Sequence, residues 1–201
     1  KIEYKDIDIN LENSSNIEEN ARKKRYLSLK SELKVDEILC TAHHQEDQAE
    51  TFLLQLFRGS GVAGLASMPK IKSIGDSELY RPFLNISKQK IIDYASKNHL
   101  EWIEDDSNQD TNFKRNLLRI EFLPKLSSAF NGLIKNVSRS AAHQAEALKL
   151  MQDLAELDIK NFELLINNKI QVSSLIQLPK RRMVNVLRYY IANLGFLLPS
   201  N

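Results

Sequence analysis

The sequence predicts an α/β protein, part of a doubly wound parallel sheet followed by a smaller helical domain. Three observations carry this. The short apolar run Ile38-Leu39-Cys40-Thr41-Ala42 reads as a strand buried on both faces, as in a parallel sheet. It hands over to a helical pattern, with Ala49, Phe52, Leu53, Leu56 and Phe57 at the spacing of one buried stripe and Asp47, Glu50 and Arg58 off it. From about Lys114 the period turns helical and stays so.

In chain order, Lys1 to Asn10 alternates imperfectly and predicts a strand. Asn16 with Glu19 resembles a capping box, opening a helix to about Leu33 with Ala21, Tyr26, Leu29 and Leu33 on one side. Arg22 and Arg25 on a neighbouring face read as solvated. After the strand and helix already described, Gly59-Ser60-Gly61 stops the helix. Met68 to Arg81 holds a hairpin or turn around Ser73, Gly75 and Asp76, and Arg81-Pro82-Phe83-Leu84 is expected to be extended. Ser87 caps a helix over Lys88–Asn98, with Ile91, Ile92 and Ala95 inward. Leu100-Glu101-Trp102-Ile103 is expected as a last strand, completing a βαβ pattern.

Pro124 lies near the end of the next helical stretch, and a long helix reaches about Leu157. Gln171-Val172 is expected as a strand fragment. Pro179 opens a final helix with Met183, Val186, Leu187, Tyr190, Ile191 and Leu194 inward, closed by Gly195. A domain boundary falls near Leu126 to Gly132, giving domains 1–128 and 129–201.

Composition narrows the function classes. The chain has 201 residues, 42% hydrophobic and 27% charged, enough for one large domain or a domain and a half. No apolar run spans a bilayer and no signal-peptide pattern is present, so a cytoplasmic setting without a membrane partner is expected. The single cysteine, Cys40, excludes an internal disulfide and reads as a small buried hydrophobe. A net charge of +2 does not argue for nucleic acid, so an RNA surface would need local clustering. The chain begins at Lys1 inside a predicted strand and stops just after Ser200, a good N-cap, so it reads as an internal fragment.

Three groups of residues could carry chemistry. His43, His44, Asp47 and Glu50 suit a divalent ion; the bland reading is an acidic helix start beside two exposed histidines. Glu104, Asp105 and Asp106 suit a metal or an amine, or form a solvated acidic loop. Arg115, Asn116 and Arg119 suit a phosphate, since guanidinium forks match its oxygens, or lie on the surface. All three follow predicted strand ends and can share the crevice where open sheets bind ligands. Opposite charges there suit a nucleotide with its metal ion and an amine. No Gly-rich phosphate loop is present, neither GxGxxG nor GxxxxGKS.

These residues carry a resemblance. TAHHQEDQAETFLLQLFRGSGVAGL (Thr41–Leu65), RPFL (Arg81–Leu84), WIEDDSN (Trp102–Asn108) and RNLLR (Arg115–Arg119) together resemble the tRNA(Ile)-lysidine synthase family. That family lies within the PP-loop ATP pyrophosphatases, of adenine nucleotide alpha hydrolase-like fold. The first motif overlaps the wider group, whereas WIEDDSN with RNxxR is more particular to the lysidine synthases.

The resemblance implies a cytoplasmic ligase using ATP and Mg2+ on the isoleucine tRNA with anticodon CAU. The wobble cytidine is adenylated with release of pyrophosphate, and L-lysine then displaces AMP. It implies that His44, Asp47, Arg115 and Arg119 are catalytic, with Asp47 also at the metal. Glu50, Glu104, Asp105, Asp106 and Asn116 would serve the substrates. Arg58, Arg139, Lys180, Arg181 and Arg182 are candidates for the tRNA surface. Residues 1–128 would be the C-terminal part of the ATP-binding catalytic domain, and 129–201 an incomplete tRNA- or substrate-binding domain. Arg22 and Arg25 fall in an ARxxRY motif with no assigned role.

The family's SGGxDS phosphate loop is absent from these 201 residues, so this chain by itself is expected to be inactive. An open sheet edge is expected to favour self-association, including a homodimer. Asp47→Asn and Arg119→Ala are expected to abolish lysidine formation in the intact protein while sparing the fold. The alternatives are another PP-loop tRNA-modifying enzyme, such as a thiolase, or a tRNA-binding module without catalysis. The lone Cys40 argues against a thiolase. A metal hydrolase lacks a third nearby histidine, since His99 and His143 fall in unrelated segments.

Overall fold

A computed structural model describes residues 5–8, 17–34, 36–103 and 106–196. The described residues form two compact units, one within Lys1–Leu54 and Met68–Ser138, the other within Gln55–Ser67 and Arg139–Asn201.

The first unit is α/β around a small mixed sheet. Helix α1 (Ile17–Glu32) precedes β1 (Ile38–Cys40), and α2 (Gln45–Phe57) follows it. Strands β2 (Ile71–Ile74) and β3 (Ser77–Tyr80) form the expected hairpin, with Gly75 at φ 63° in its two-residue turn. The sheet order is β1-β3-β2, with β1 parallel to β3, Leu39 opposite Leu79, and β2 antiparallel. The carboxyl ends of β1 and β3 therefore lie on one rim, and the Thr41 N–H donates to Tyr80 O at 3.0 Å.

Helix α4 (Lys88–Lys97) starts where the sequence places it: Ser87 Oγ accepts from Lys90 N, and Ile91, Ile92 and Ala95 are half-buried. After a 3-10 turn at Asp106–Gln109 come α5 (Lys114–Leu117), a π-helical turn (Leu118–Phe122) and α6 (Leu123–Ala129). Pro124 has no N–H to offer the carbonyl four residues back, and the ladder shifts register, Leu123 N–H reaching Leu118 O. Leu53 of α2 packs on Leu118 and Leu123, with Phe52, Leu54, Leu133, Ile134 and Val137 around them.

Several sequence expectations are corrected. Strand β1 is not buried on both faces: Ile38 is 57% exposed and Cys40 is exposed, because among the described residues β1 pairs on one side alone. Leu100–Ile103 is not a strand, and Ile103 is 97% exposed; an apolar run without a partner edge has no ladder to join. Arg81–Leu84 turns rather than extends, with Leu84 N donating to Arg81 O, since proline restricts the residue before it while itself suiting a turn. The last turn of the α2 stripe, Leu56 and Phe57, is exposed, whereas Glu50, expected off the stripe, is fully buried. Residues 5–8 are not in a strand; the remainder of the predicted first strand, and the Asn16 cap, lie outside the described residues.

The second unit is mostly helical and includes the short α3 (Val62–Leu65). The long helix α7 (Leu133–Asn161) runs on from the first unit and extends four residues past the expected end. Strands β4 (Leu165–Ile166) and β5 (Lys169–Ile170) form a hairpin through Asn167 (φ 50°) and Asn168 (φ 58°), the left-handed pair that a tight hairpin turn requires. Gln171-Val172 is therefore not a strand: Val172 opens α8 (Val172–Leu175). Pro179 sits one residue before α9 (Lys180–Asn193), and Leu194, expected inward, is its exposed C-cap. Ala155, Leu164, Leu175, Leu178 and Val186 make the core, each larger aliphatic contributing about 1.5–3 kcal/mol by burial. Among the described residues no helix is long and apolar enough to cross a membrane.

Candidate functional site at the β1–α2 turn

The geometry of the site begins with a helix cap. His44 is the residue before α2, and its carbonyl accepts from Gln48 N at 3.2 Å. Asp47, three residues on, reaches back so that Oδ2 accepts the His44 N–H at 2.9 Å, one half of a capping box. The His-x-x-Asp spacing is thus a cap geometry that fixes where Asp47 points. The His44 ring lies close by, Nε2 3.5 Å from Asp47 Oδ2 and Nδ1 3.1 Å from Glu46 Oε2. Glu46 in turn accepts the Lys88 N–H at 2.7 Å, tying the start of α2 to the start of α4. Burial pushes the Glu46 carboxyl up, but the adjacent His44 ring and the hydrogen bond from Lys88 N outweigh it and hold the group below its usual range.

One helical turn past Asp47, Glu50 shares its face. Arg119, from the π-helical turn, closes on both carboxylates. Its Nε donates to Glu50 Oε1 at 2.7 Å, while Nη2 donates to Glu50 Oε2 at 2.8 Å and to Asp47 Oδ1 at 3.1 Å. Arg115 approaches from the turn before. Its Nη2 donates to Thr51 Oγ1 at 2.8 Å, and its Nε stands 3.5 Å from Glu50 Oε2. Thr51 Oγ1 donates to Asp47 O at 2.8 Å, so hydroxyl, carboxylates and guanidinium groups form one network. Burial raises the Glu50 pKa against the pull of Arg119, and the Glu50 hydrogen bonds hold the Arg119 guanidinium above its ordinary value.

His43 lies beside this network, its Nδ1 2.9 Å from Thr41 Oγ1. Its pKa is lowered first by burial; the charges of Arg81, Arg115 and His44 add to this against the opposing pull of Asp47. His43 is therefore neutral at neutral pH.

The structure brings His43, His44, Asp47, Glu50, Arg115 and Arg119 together, and spends the two arginines differently from the phosphate fork read in the sequence. Both are committed to protein acceptors, with Arg119 acting as the clamp that orients Asp47. Asn116 is buried and its Nδ2 donates to Asp110 O at 2.9 Å, which fixes the preceding loop. Glu104 and Asp105 lie outside the described residues, and Asp106 opens the 3-10 turn.

Among the described residues no group of three or more His, Cys, Asp or Glu side chains is placed to hold a metal ion. Both Asp47 oxygens already accept hydrogen bonds, and Glu50 is enclosed by Arg119. The donor set does not make an Mg2+ cage by itself, and Asp47 could add at most one ligand beside phosphate oxygens.

Of the residues considered for an RNA surface, Arg58, Arg139, Lys180 and Arg181 are exposed. Arg182 is held instead by Asp158, a fully buried carboxylate, its Nε donating to Oδ2 at 2.9 Å and its Nη2 reaching Oδ1. Arg182→Ala is therefore expected to lower the thermal midpoint of this chain by stranding a buried charge, as read by circular dichroism. An unchanged midpoint with weakened tRNA binding would instead make Arg182 an RNA contact. Sequence reasoning missed two members of the site. Thr51 carries no motif signal, and Arg81 lies in the quoted RPFL stretch without a role.

Comparison with known proteins adds to this geometry. A family profile described as a PP-loop domain matches residues 1–126. A curated protein named tRNA(Ile)-lysidine synthase from Coxiella burnetii is 44% identical over 194 residues, covering 96% of this chain and 43% of its own length. Proteins of the same name from Photorhabdus laumondii (42% over 184 residues, 92% of this chain and 41% of theirs) and Legionella pneumophila (40% over 195 residues, 96% and 44%) match similarly. The chain thus spans less than half the length of these relatives.

Proposed function

The chain belongs to the PP-loop domain family, and from that premise we propose that the protein carrying it is an ATP-dependent ligase joining L-lysine to the wobble cytidine of the CAU-anticodon isoleucine tRNA. The observation that supports this most is the Asp47–Arg119–Glu50 network at the carboxyl end of a parallel strand, where open sheets take their ligands. Relatives named for lysidine synthesis cover nearly the whole chain at 40–44% identity.

The chemistry needs two displacements. Cytosine O2 is a poor leaving group, so it first attacks the α-phosphorus of ATP, releasing pyrophosphate. The lysine side-chain amine then attacks C2, and AMP leaves with the oxygen. The amine must arrive neutral and give up a proton, which Asp47 would steer and accept. Arg119 holds Asp47 through Oδ1, and buried Glu50 fixes Arg119, so both act as positioning residues. His44 and Arg115 complete the rim. Mg2+ would supply charge neutralisation at the phosphates.

Residues 1–128 would contribute this catalytic rim, and the exposed Arg58, Arg139, Lys180 and Arg181 would contact tRNA phosphates. The intact protein is expected to release pyrophosphate in proportion to added CAU-anticodon tRNA(Ile). A polypeptide of these 201 residues, which holds no SGGxDS sequence, is expected to release none. Release of tRNA-dependent pyrophosphate by that polypeptide would place the phosphate-binding function within the residues described above and contradict the proposal.

A further inference from the structure

One buried cation in the first unit has no counter-ion among the described residues. Arg81 is 5% exposed and stands directly after β3, on the same rim as the β1–α2 turn. Its Nη1 donates to Pro69 O at 2.7 Å, its backbone N–H donates to Lys70 O at 2.9 Å, and its Nε is buried without a hydrogen-bond partner. Among the described residues, carboxylates pair with Arg115, Arg119 and Arg182, and none lies within ion-pair distance of Arg81. A guanidinium taken out of water without an anion is costly, and its burial here is unexplained by packing alone. Its charge reaches His43, which Arg115 also faces.

We propose that Arg81, with His43 beside it, forms an oxyanion-binding subsite on this rim, and that a phosphate or carboxylate of an incoming ligand supplies the missing negative charge. The two arginines that the sequence offers for a phosphate are already closed on Asp47, Glu50 and Thr51. Arg115 also keeps a buried Nε without a hydrogen bond, but Glu50 stands 3.5 Å from it as a counter-ion, whereas among the described residues Arg81 has an unsatisfied donor and no carboxylate beside it. His43 lies within electrostatic reach of the guanidinium and could add a ring N–H, and the planar fork of Arg81 suits two oxygens of one group. The choice of ligands rests on the reading of this rim as a nucleotide-and-amine site; the existence of the subsite does not.

The test uses the 201-residue chain with three probes: inorganic phosphate, AMP and norleucine, which carries an amino-acid carboxylate without the side-chain amine. The Arg81 Nε–H resonance in a nitrogen-15 correlation spectrum is expected to shift saturably with at least one of them. Phosphate and AMP together point to a nucleotide phosphate, and norleucine alone points to the amino acid. Arg81→Lys keeps the charge but loses the fork, and is expected to weaken that binding about tenfold or more.

Arg81→Gln supplies a stability readout. Removing an uncompensated buried charge is expected to leave the thermal midpoint unchanged or raise it, while abolishing the midpoint rise that the ligand gives wild type. A fall in the Arg81→Gln midpoint with unaltered ligand binding would make Arg81 a structural donor to Pro69 and overturn the inference. So would an Arg81 resonance that none of the probes moves. Either failure leaves the ligase reading standing if Asp47 substitution still abolishes lysidine formation. An intact Arg81 response with fully active Asp47 variants would have the opposite meaning.

Discussion

Asp47→Asn, introduced into the intact protein, is expected to lower lysidine formation about a hundredfold or more while leaving the fold in place. The fold survives because the amide oxygen can still accept the His44 N–H that Asp47 Oδ2 now accepts at 2.9 Å. That bond then turns the amide NH2 toward Arg119 Nη2, which now donates to Oδ1 at 3.1 Å, so donor meets donor. The variant would lose both the proposed proton acceptor and its clamp. Steady-state lysidine formation alongside thermal unfolding separates the two effects. An unchanged turnover would remove Asp47 from the chemistry.

Arg119→Ala is expected to cost stability as well as activity, which revises the expectation that it spares the fold. Glu50 is fully buried, and Arg119 supplies two of its hydrogen bonds; Arg115 stands farther off at 3.5 Å. Removing one partner of such a pair costs about 3–5 kcal/mol, toward the lower figure because the Arg119 side chain is 30% exposed. The loss has a defined pH dependence. Glu50 has a folded-state pKa above its unfolded value, from burial first, and deleting Arg119 removes its main opposing pull. A raised carboxyl binds its proton more tightly in the folded state, so stability rises as the pH falls toward the unfolded value. The variant should therefore be most destabilised near about pH 7 and partly recover near about pH 5 in denaturant titrations. Glu50→Gln in the same background should flatten that dependence. A pH-independent loss would mean that Glu50 is not the stranded group.

Local signals were legible where the chemistry is local. Ser87 announced α4 because a hydroxyl followed by an amphipathic period is sufficient for a cap, and Gly75 announced the hairpin. His44 and Asp47 were legible as candidate ligands from their chemistry and their motif, whereas the helix cap that their three-residue spacing builds was not read from the sequence. What the sequence concealed depends on tertiary partners. Glu50 looks like a surface residue of α2 until Arg119, from a turn 69 residues later, reaches across to it. Leu100–Ile103 has the composition of a strand but pairs with no edge among the described residues. The π-helical turn that carries Arg119 precedes Pro124, which was expected near the end of its helical stretch but lies in the first turn of α6, with helix continuing to Ala129. Arg81 was hidden by its neighbours: a residue before proline draws attention to the backbone, not to a guanidinium that lacks a carboxylate among the described residues.

The most direct measurement is mass spectrometry of nucleosides from CAU-anticodon tRNA(Ile) after incubation with the intact protein, ATP and L-lysine. The expected result is a wobble cytidine that has gained one lysine less one water, with AMP and pyrophosphate formed in equal amounts and no gain with Asp47→Asn. A wobble cytidine left unmodified, or one that gains sulfur in place of lysine, would contradict it.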